Sequence, residues 1–428
     1  MHQGNFDLSI EEISKIEGQA GLDIKVRSGK IESLKFKITD YKRFYTKAVE
    51  GKPIQAVPQQ VARICGTCSN AHLLCSIKTI ENATNTVPSK QTIKLRELLN
   101  HGLIIRDHAL HLYVFVLPDL LGVDSILDLD ENNQEQHELL HNTFDTKEVG
   151  NLLSIWAGGR SVHAPFVTLG GFTKLPTEPP TNIISRLQKI RPDILKLIKL
   201  FAANTSKVEE DVVFIALNDP GYNYLSGDVI TSQGEVIPAA EIFSHLTHVS
   251  IPYSQASAYT IGDKRVMVGA LARLNLNKDS LHPETKKDAS TELELFPSNN
   301  IFHNNLAQAI EILHSIDTAL DLLNNFQITE ERPVEISKKA GTGTGVTEAP
   351  RGLLFHQYEI TDKGRILNAK IVVPTGLNQM LIEQSLKTYL ETKLNLSKEK
   401  IGLEAEKLIR AYDPCISCAS HFLRLKWL

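Results

Sequence analysis

The sequence predicts an α+β protein that is mainly helical, with a central helix bundle and small peripheral β-sheets. Alternating apolar and polar residues, typical of strands, are concentrated within residues 8–40. No internal repeat or linker interrupts the chain, so we expect residues 1–428 to form a single domain. Apolar residues recur at helical spacing over much more of the chain, at residues 58–82, 91–116, 180–204, 304–327, 376–394 and 401–411.

The first predicted element is a β-hairpin. Residues 22–26 and 31–38 alternate apolar with polar side chains, and Ser28-Gly29-Lys30 supplies a turn between them. Helices follow. Among them, residues 305–325 carry the clearest pattern, with apolar side chains in register at Leu306, Ile310, Leu313, Ile316 and Leu320.

Three segments read as less regular. Residues 211–240 predict loops and short strands, with a turn at Asp219-Pro220-Gly221. Residues 275–300 are polar and predict a surface insertion. The run Gly341-Thr342-Gly343-Thr344-Gly345 predicts a flexible turn.

The composition excludes several classes of protein. With 42% hydrophobic and 22% charged residues the chain is globular, and its net charge of −4 gives no support for a nucleic-acid partner. No run of about 18 apolar residues predicts a membrane span. The N-terminus lacks the basic start and apolar core of a signal peptide. Five cysteines without a disulfide framework favour the cytoplasm.

Four of the five cysteines form two Cys-x-x-Cys pairs near opposite ends of the chain, Cys65/Cys68 and Cys415/Cys418. Thiolate is a soft ligand for zinc, nickel, iron and iron–sulfur centres, and this spacing lets both sulfurs reach one metal. The spacing alone leaves open a closed zinc site, two unconnected sites and a shared redox centre. If the pairs meet, the fold must close a very long loop, which requires a large core.

The residues around these pairs resemble both signatures of the nickel–iron hydrogenase large subunit. The first reads Arg63-Ile64-Cys65-Gly66-Thr67-Cys68, and the second reads Asp413-Pro414-Cys415-Ile416-Ser417-Cys418 with His421 after it. Further blocks in the family's order are 14–18, 107–113, 159–163 with 170–172, 348–352 and 374–378. The amino-acid sequences of these blocks are most similar to those of the cytoplasmic, cofactor-coupled branch of the family.

This resemblance implies a catalytic subunit that reversibly cleaves dihydrogen into protons and electrons. All four cysteines would bind nickel, and Cys68 and Cys418 would also bridge to an iron that carries carbonyl and cyanide ligands. Thiolates suit this task because they are soft and electron-rich. The alternatives are a zinc-binding structural protein and a quinone-module relative of the same fold, although such relatives usually lack the four cysteines.

The resemblance also implies roles for five other residues. Arg351 would orient cyanide or polarise dihydrogen with its permanently charged fork of donors. Glu17 would relay a proton from Cys415. Asp413, Asp107 and His72 would hold the ligands in place and tune the basicity of the sulfurs. Two further residues carry weaker expectations: His163 is an open candidate, and Cys75 is expected to be a buried core thiol.

Three features depart from the family pattern. Lys15 replaces the usual arginine. Thr46 replaces a glutamate that, together with His421 and a carbonyl near Val372 or Val373, would bind magnesium or a second iron. Threonine is a poor ligand for such an ion, and Glu50 substitutes for it only if that segment is helical. Residues 422–428 lie where relatives are often trimmed, which leaves open whether a maturation protease removes them.

Electrons need an exit, and the chain has no further cysteine cluster for an iron–sulfur relay and no Gly-rich dinucleotide motif. We therefore expect the chain to bind an iron–sulfur-cluster small subunit, together with further subunits that couple to NAD(P) or another carrier.

Overall fold

The computed structural model describes residues 4–325, 327–337 and 339–420. The prediction of a mainly helical α+β fold is confirmed. In the described part of the chain the α-helices are α1 (Tyr45–Ala48), α2 (Val57–Val61), α3 (Ser69–Thr84), α4 (Lys90–Ala109), α5 (Leu117–Leu121), α6 (Gln134–Gly158), α7 (Thr181–Ala202), α8 (Ile242–His245), α9 (Ala270–Asn277), α10 (Pro283–Asp288), α11 (Ser290–Leu293), α12 (His303–Asn325), α13 (Pro374–Glu391), α14 (Lys398–Ala411) and α15 (Ile416–Ala419).

The strands form small separate sheets. The orders are β1-β2-β3, β4-β5, β11-β6-β7-β8, β10-β9 and β12-β13-β14, and all pairs are antiparallel except β11 with β6. Their bounds are β1 (Phe6–Ile10), β2 (Ala20–Arg27), β3 (Lys30–Ile38), β4 (Val167–Thr168), β5 (Gly171–Phe172), β6 (Val213–Leu217), β7 (Val229–Thr231), β8 (Val236–Ile237), β9 (Leu246–Ser250), β10 (Ser257–Ile261), β11 (Val266–Met267), β12 (Gly341–Ala349), β13 (Gly352–Ile360) and β14 (Ile366–Val372).

Helices α3, α4, α6, α7 and α12 make up the bundle at the centre of the fold. Helix α4 continues into a π-helical stretch over Leu110–Val116. Helices α4 and α6 pack very closely because their shared face is built from small residues: a Cβ added at Gly150 would lie 2.7 Å from Arg106 N. Because this face of α6 carries small residues, large apolar side chains do not recur clearly at helical spacing. The sequence therefore did not predict that helix.

The glycine run at 341–345 is not the flexible turn that its composition suggested. It is the first half of β12, and its alternate glycines face α3. A Cβ at Gly345 would lie 2.7 Å from Cys75 O, so glycine is what allows the helix to rest on the sheet. Glycine here permits a close approach between two backbones instead of a turn.

The polar segment 275–300 is also more ordered than a surface insertion. It contains α10 and α11, and Thr285 and Ala289 are fully buried. The Thr285 hydroxyl donates to Asp317 on α12 at 2.7 Å. Polar residues in this segment therefore bind the bundle directly, which composition alone did not reveal.

No helix in the described ranges is long and apolar enough to cross a membrane.

Candidate metal centre

The two Cys-x-x-Cys pairs meet in the structure. The four sulfurs lie within 4.8 Å of one another, and all four residues are buried. Cys65 Sγ lies 3.3 Å from Cys415 Sγ, and Cys68 Sγ lies 3.1 Å from Cys418 Sγ. These two contacts each join one cysteine from the head of the chain to one from the tail, and a third contact, 2.9 Å between Cys415 Sγ and Cys418 Sγ, lies within the tail pair.

The local structure explains how each pair faces the centre. Cys65 is extended after a 3-10 turn, and Cys68 immediately precedes the first residue of α3. Cys415 is extended just before α15, and Cys418 lies within that short helix. The backbone N–H of Cys415 donates to Thr375 Oγ1 at 2.9 Å, which ties this segment to α13.

Glu17 is held beside the cysteines by its own backbone. Glu17 and Cys415 form a parallel β-bridge, and Ile416 N–H donates to Glu17 O at 3.0 Å. Gly18 follows with φ +83°, and a Cβ there would lie 2.7 Å from Ile416 Cβ. Only glycine allows the N-terminal segment to turn this close to α15.

The Glu17 carboxylate faces two of the sulfurs. Its Oε2 lies 3.2 Å from Cys415 Sγ and accepts from Ser417 N–H at 3.0 Å, while Oε1 lies 3.9 Å from Cys65 Sγ. Burial, and then the negative charge of Cys65, raise the pKa of Glu17 above its ordinary value. Glu17 is thus placed to exchange a proton with either sulfur.

Arg351 lies in the turn between β12 and β13 and is buried. Its Nε donates to Asp413 Oδ1 at 3.0 Å, and its Nη1 donates to Asp107 Oδ2 at 3.2 Å. The second terminal nitrogen, Nη2, is buried and has no hydrogen-bond partner among the described residues. Two carboxylates therefore fix the guanidinium and leave one donor for another acceptor.

Asp413 is fixed in turn by the central helix α12. Gln308 Nε2 donates to Asp413 Oδ2 at 2.8 Å, and Gln308 Oε1 lies 2.6 Å from His111 Nδ1. Burial raises the pKa of Asp413, but Arg351, His111, His108 and the Gln308 hydrogen bond together outweigh it, so the pKa is lowered. The Asp413 carboxyl is therefore held as a carboxylate beside Arg351.

His72, within α3, contacts a different sulfur from those that Glu17 faces. Its Nε2 is 3.5 Å from Cys418 Sγ, and its Nδ1 is 3.2 Å from Nε2 of His356 on β13. Burial lowers the pKa of His72 to about 4, so the imidazole is neutral at physiological pH.

Other predicted residues lie away from the sulfurs or outside the described residues. The described contacts of half-buried His163 include a backbone N–H that donates to Ser69 Oγ at 3.0 Å, and none reaches the sulfurs. Cys75 is a buried thiol near Gly345 O and Leu354 O, and burial raises its pKa to about 12. Thr46 and Val372 line the same cleft, and His421 lies outside the described residues. Glu50 follows the end of α1 and pairs with Lys47 at 2.8 Å.

Sequence reasoning missed three residues around the centre: His356, Gln308 and Arg106. Arg106 donates to Thr67 O at 2.6 Å, within the first cysteine motif. Gln308 and His356 are polar residues inside strongly apolar segments, and this is the signal that identifies such buried groups.

The donor set fits a nickel–iron centre better than a closed structural site. Four soft sulfurs converge, as a metal requires, but charged and polar groups also surround them: Glu17, Arg351 and His72. An inert zinc site needs only its ligands. The orphan Arg351 Nη2 is a buried donor that suits an additional acceptor such as a cyanide on the metal.

Comparison with known proteins gives consistent results. The family model described as nickel-dependent hydrogenase matches residues 43–155 and 235–421. The alpha chain of sulfhydrogenase 1 from Pyrococcus furiosus is 33% identical, over 98% of both chains. The matching chain of the F420-non-reducing hydrogenase vhu from Methanococcus voltae is 30% identical, over 90% of this chain and 98% of that one. Among solved structures, an NAD+-reducing [NiFe]-hydrogenase matches with a TM-score of 0.83 and 23% identity, over 98% of this chain and all of the other.

Proposed function

The chain belongs to the nickel-dependent hydrogenase family, and we propose how its own residues support the activation of dihydrogen at a nickel–iron centre. The family match spans both cysteine pairs, and the geometry joins those pairs in one buried cluster. This convergence of sulfurs from the two ends of the chain is the observation that carries the function.

The four cysteines divide into two kinds of ligand. In our proposal all four cysteines would hold the nickel, and Cys68 and Cys418 would also hold the iron. This division is the one that the family resemblance implies, and it gives each kind of ligand one cysteine from either end of the chain, at 3.3 Å for Cys65 and Cys415 and 3.1 Å for Cys68 and Cys418. Carbonyl and cyanide on the iron complete the proposed centre. When bound, this centre supplies the redox chemistry that separates dihydrogen into protons and electrons.

Glu17 moves the proton. Its Oε2 lies 3.2 Å from Cys415 Sγ, within reach for direct transfer from the sulfur. The backbone bridge to the Cys415 segment holds the carboxylate in place, so little reorganisation is needed. Because Glu17 is half-buried, the proton that it accepts can continue towards the surface.

Arg351 supplies a fixed positive charge and a donor next to the sulfurs. Asp107 and Asp413 hold two of its nitrogens, so the third nitrogen, Nη2, is held in one orientation. In this arrangement the two aspartates position Arg351, and Arg351 orients the diatomic ligand or the substrate. His72 donates a hydrogen bond to Cys418 and thereby lowers the electron density of that sulfur.

We further propose that an iron–sulfur small subunit removes the electrons. The four-cysteine cluster is the metal-type group found among the described residues, and Cys75 stands alone. The related chains are named as subunits of hydrogenases, which implies partner chains. A carrier-coupling subunit for NAD(P) or a similar acceptor, and a cytoplasmic location, belong to the same proposal.

Metal analysis of matched cysteine variants tests this function. We expect the holoprotein to contain nickel and iron in about equal amounts and to show infrared bands from carbonyl and cyanide. Cys65→Ser should lose nickel and hydrogen uptake, whereas Cys75→Ala should keep both because Cys75 is outside the cluster. Zinc alone in the wild-type protein, or equal nickel loss in the two variants, would reject the proposal.

A further inference from the structure

A chain of buried polar groups leads from Cys418 into the core. Cys418 Sγ is 3.5 Å from His72 Nε2, and His72 Nδ1 is 3.2 Å from His356 Nε2. His356 Nδ1 is 2.7 Å from Tyr358 Oη, which is 3.1 Å from Ser76 Oγ. All of these side chains are at most 2% exposed, so bulk water is absent from this chain of contacts.

The geometry of two packed elements explains why the groups meet in pairs. His72 and Ser76 are four residues apart on α3, a rise of about 6 Å along a helix. His356 and Tyr358 are two residues apart on β13, a rise of about 6.6 Å along a strand. Both spacings put the two side chains on one face, and the two faces pack together. The alternate glycines of β12 allow this approach.

The bound state of Cys418 fixes the direction of the hydrogen bonds. A cysteine that bridges two metals is a thiolate and can only accept. The thiolate therefore favours the His72 tautomer that carries its hydrogen on Nε2. A neutral imidazole has one ring hydrogen, so His72 Nδ1 accepts from His356 Nε2–H. By the same rule His356 Nδ1 has no hydrogen and accepts from the Tyr358 hydroxyl.

Hydrogen bonds in the opposite direction along these residues are unfavourable next to the Cys418 thiolate. The Tyr358 hydroxyl hydrogen has two acceptors within reach, His356 Nδ1 and Ser76 Oγ. If the hydroxyl donated to Ser76, its oxygen would accept from His356, which would then carry its hydrogen on Nδ1. His356 Nε2 would in turn accept from His72, which would also carry its hydrogen on Nδ1. Two electron pairs, on His72 Nε2 and on the thiolate, would then face each other in a buried site, which is unfavourable.

Building on the proposed function, we propose that Tyr358, acting through His356, stabilises the tautomer of His72 that donates to the thiolate of Cys418, and that without Tyr358 the other tautomer becomes populated. Tyr358 and His356 are positioning residues, since they reach the cluster through His72. They act on the centre through the position of one imidazole hydrogen.

The test measures tautomers directly in the nickel- and iron-loaded protein with ¹⁵N-labelled histidine. In the wild type we expect His72 and His356 both to be protonated on Nε2. Tyr358→Phe removes the donor to His356 Nδ1, so a share of both residues should shift to the Nδ1–H form. Ser76→Ala is the matched control on the far side of the same hydroxyl and should leave both tautomers unchanged.

The infrared bands of the iron ligands give a second measurement. A weaker hydrogen bond to Cys418 leaves more electron density on the metals, so the carbonyl band of Tyr358→Phe should move to lower frequency. His356 protonated on Nδ1 in the loaded wild type, or equal shifts in both variants, would overturn the proposal. A preparation without nickel and iron would instead count against the proposed function itself.

Discussion

Glu17 and Cys415 are separated by 398 positions in the sequence, yet their backbones form a β-bridge and their side chains lie 3.2 Å apart. The N-terminal segment therefore completes a site whose sulfurs come from both ends of the chain. Two ion pairs strengthen this closure, because Asp119 binds both Lys15 and Arg410. Such a long loop is stable because a large core holds its ends.

Replacing Glu17 with glutamine tests the proton relay. The glutamine side chain has almost the same shape but cannot take a proton, so we expect hydrogen turnover to fall by about 10²-fold or more. Nickel and iron content should stay unchanged, because Glu17 is not a ligand. Glu12→Gln, at an exposed position on the same segment, is the control and should keep wild-type turnover. A loss of metal in Glu17→Gln would show that the role is structural.

Arg351→Lys separates charge from geometry. Lysine keeps the positive charge but lacks the planar fork that binds Asp107 and Asp413 through separate nitrogens and fixes the direction of Nη2. We expect kcat to fall by about 10²–10³-fold. Arg351→Met should in addition lower the free energy of unfolding by about 3–5 kcal/mol, because it leaves two buried carboxylates unpaired.

Turnover assays and denaturant unfolding of both Arg351 variants check these expectations. Arg27→Lys is a suitable control because Arg27 forms an exposed ion pair with Asp7, and we expect no measurable effect there. Full activity in Arg351→Lys would mean that charge alone is sufficient at this position.

The meeting of the four cysteines could be predicted from the sequence because two Cys-x-x-Cys pairs with recognisable flanking residues mark them locally. Cys65, Cys68, Cys415 and Cys418 needed only their neighbours to be identified, and the fold confirmed that they meet. His356 could not be predicted in the same way. It contacts His72 only because α3 packs on β13, and such a long-range contact leaves no local pattern in the chain.

The predicted elements show the same difference. Helix α12 was predicted because one broad face is apolar, whereas α6 was missed because its packing face is made of small residues. The glycines at 341, 343 and 345 were misread because local rules associate glycine with turns. Their actual role depends on the helix that packs against them, which the sequence of the strand does not reveal.

Gly345→Ala tests the close packing of α3 on β12. The new Cβ would lie 2.7 Å from Cys75 O and 2.9 Å from Thr79 N, both backbone atoms of a rigid helix. We expect the free energy of unfolding to fall by about 1–3 kcal/mol, measured in denaturant. Gly402→Ala is the control: its nearest neighbour would be Ile10 Cδ1 at 3.6 Å, and alanine favours the helix by about 1 kcal/mol. Equal stability of the two variants would contradict the packing argument.

The raised pKa of Glu97, a residue outside the cysteine cluster, predicts that the stability of the protein depends on pH. Burial, and then the charge of Asp219, raise its pKa from 4.5 to about 7. A carboxyl with a raised folded-state pKa binds protons more tightly in the folded protein, so its contribution is fully present below pH 4.5 and is lost as the pH rises to about 7. Glu97→Gln keeps the acceptor for Asn223 Nδ2 and removes this loss. We therefore expect Glu97→Gln to exceed the wild type in free energy of unfolding by about 1–3 kcal/mol at pH 8, and by much less at pH 4.5. Glu294→Gln, at an exposed position, should follow the wild-type curve, and a difference for Glu97→Gln that does not change with pH would exclude titration as its cause.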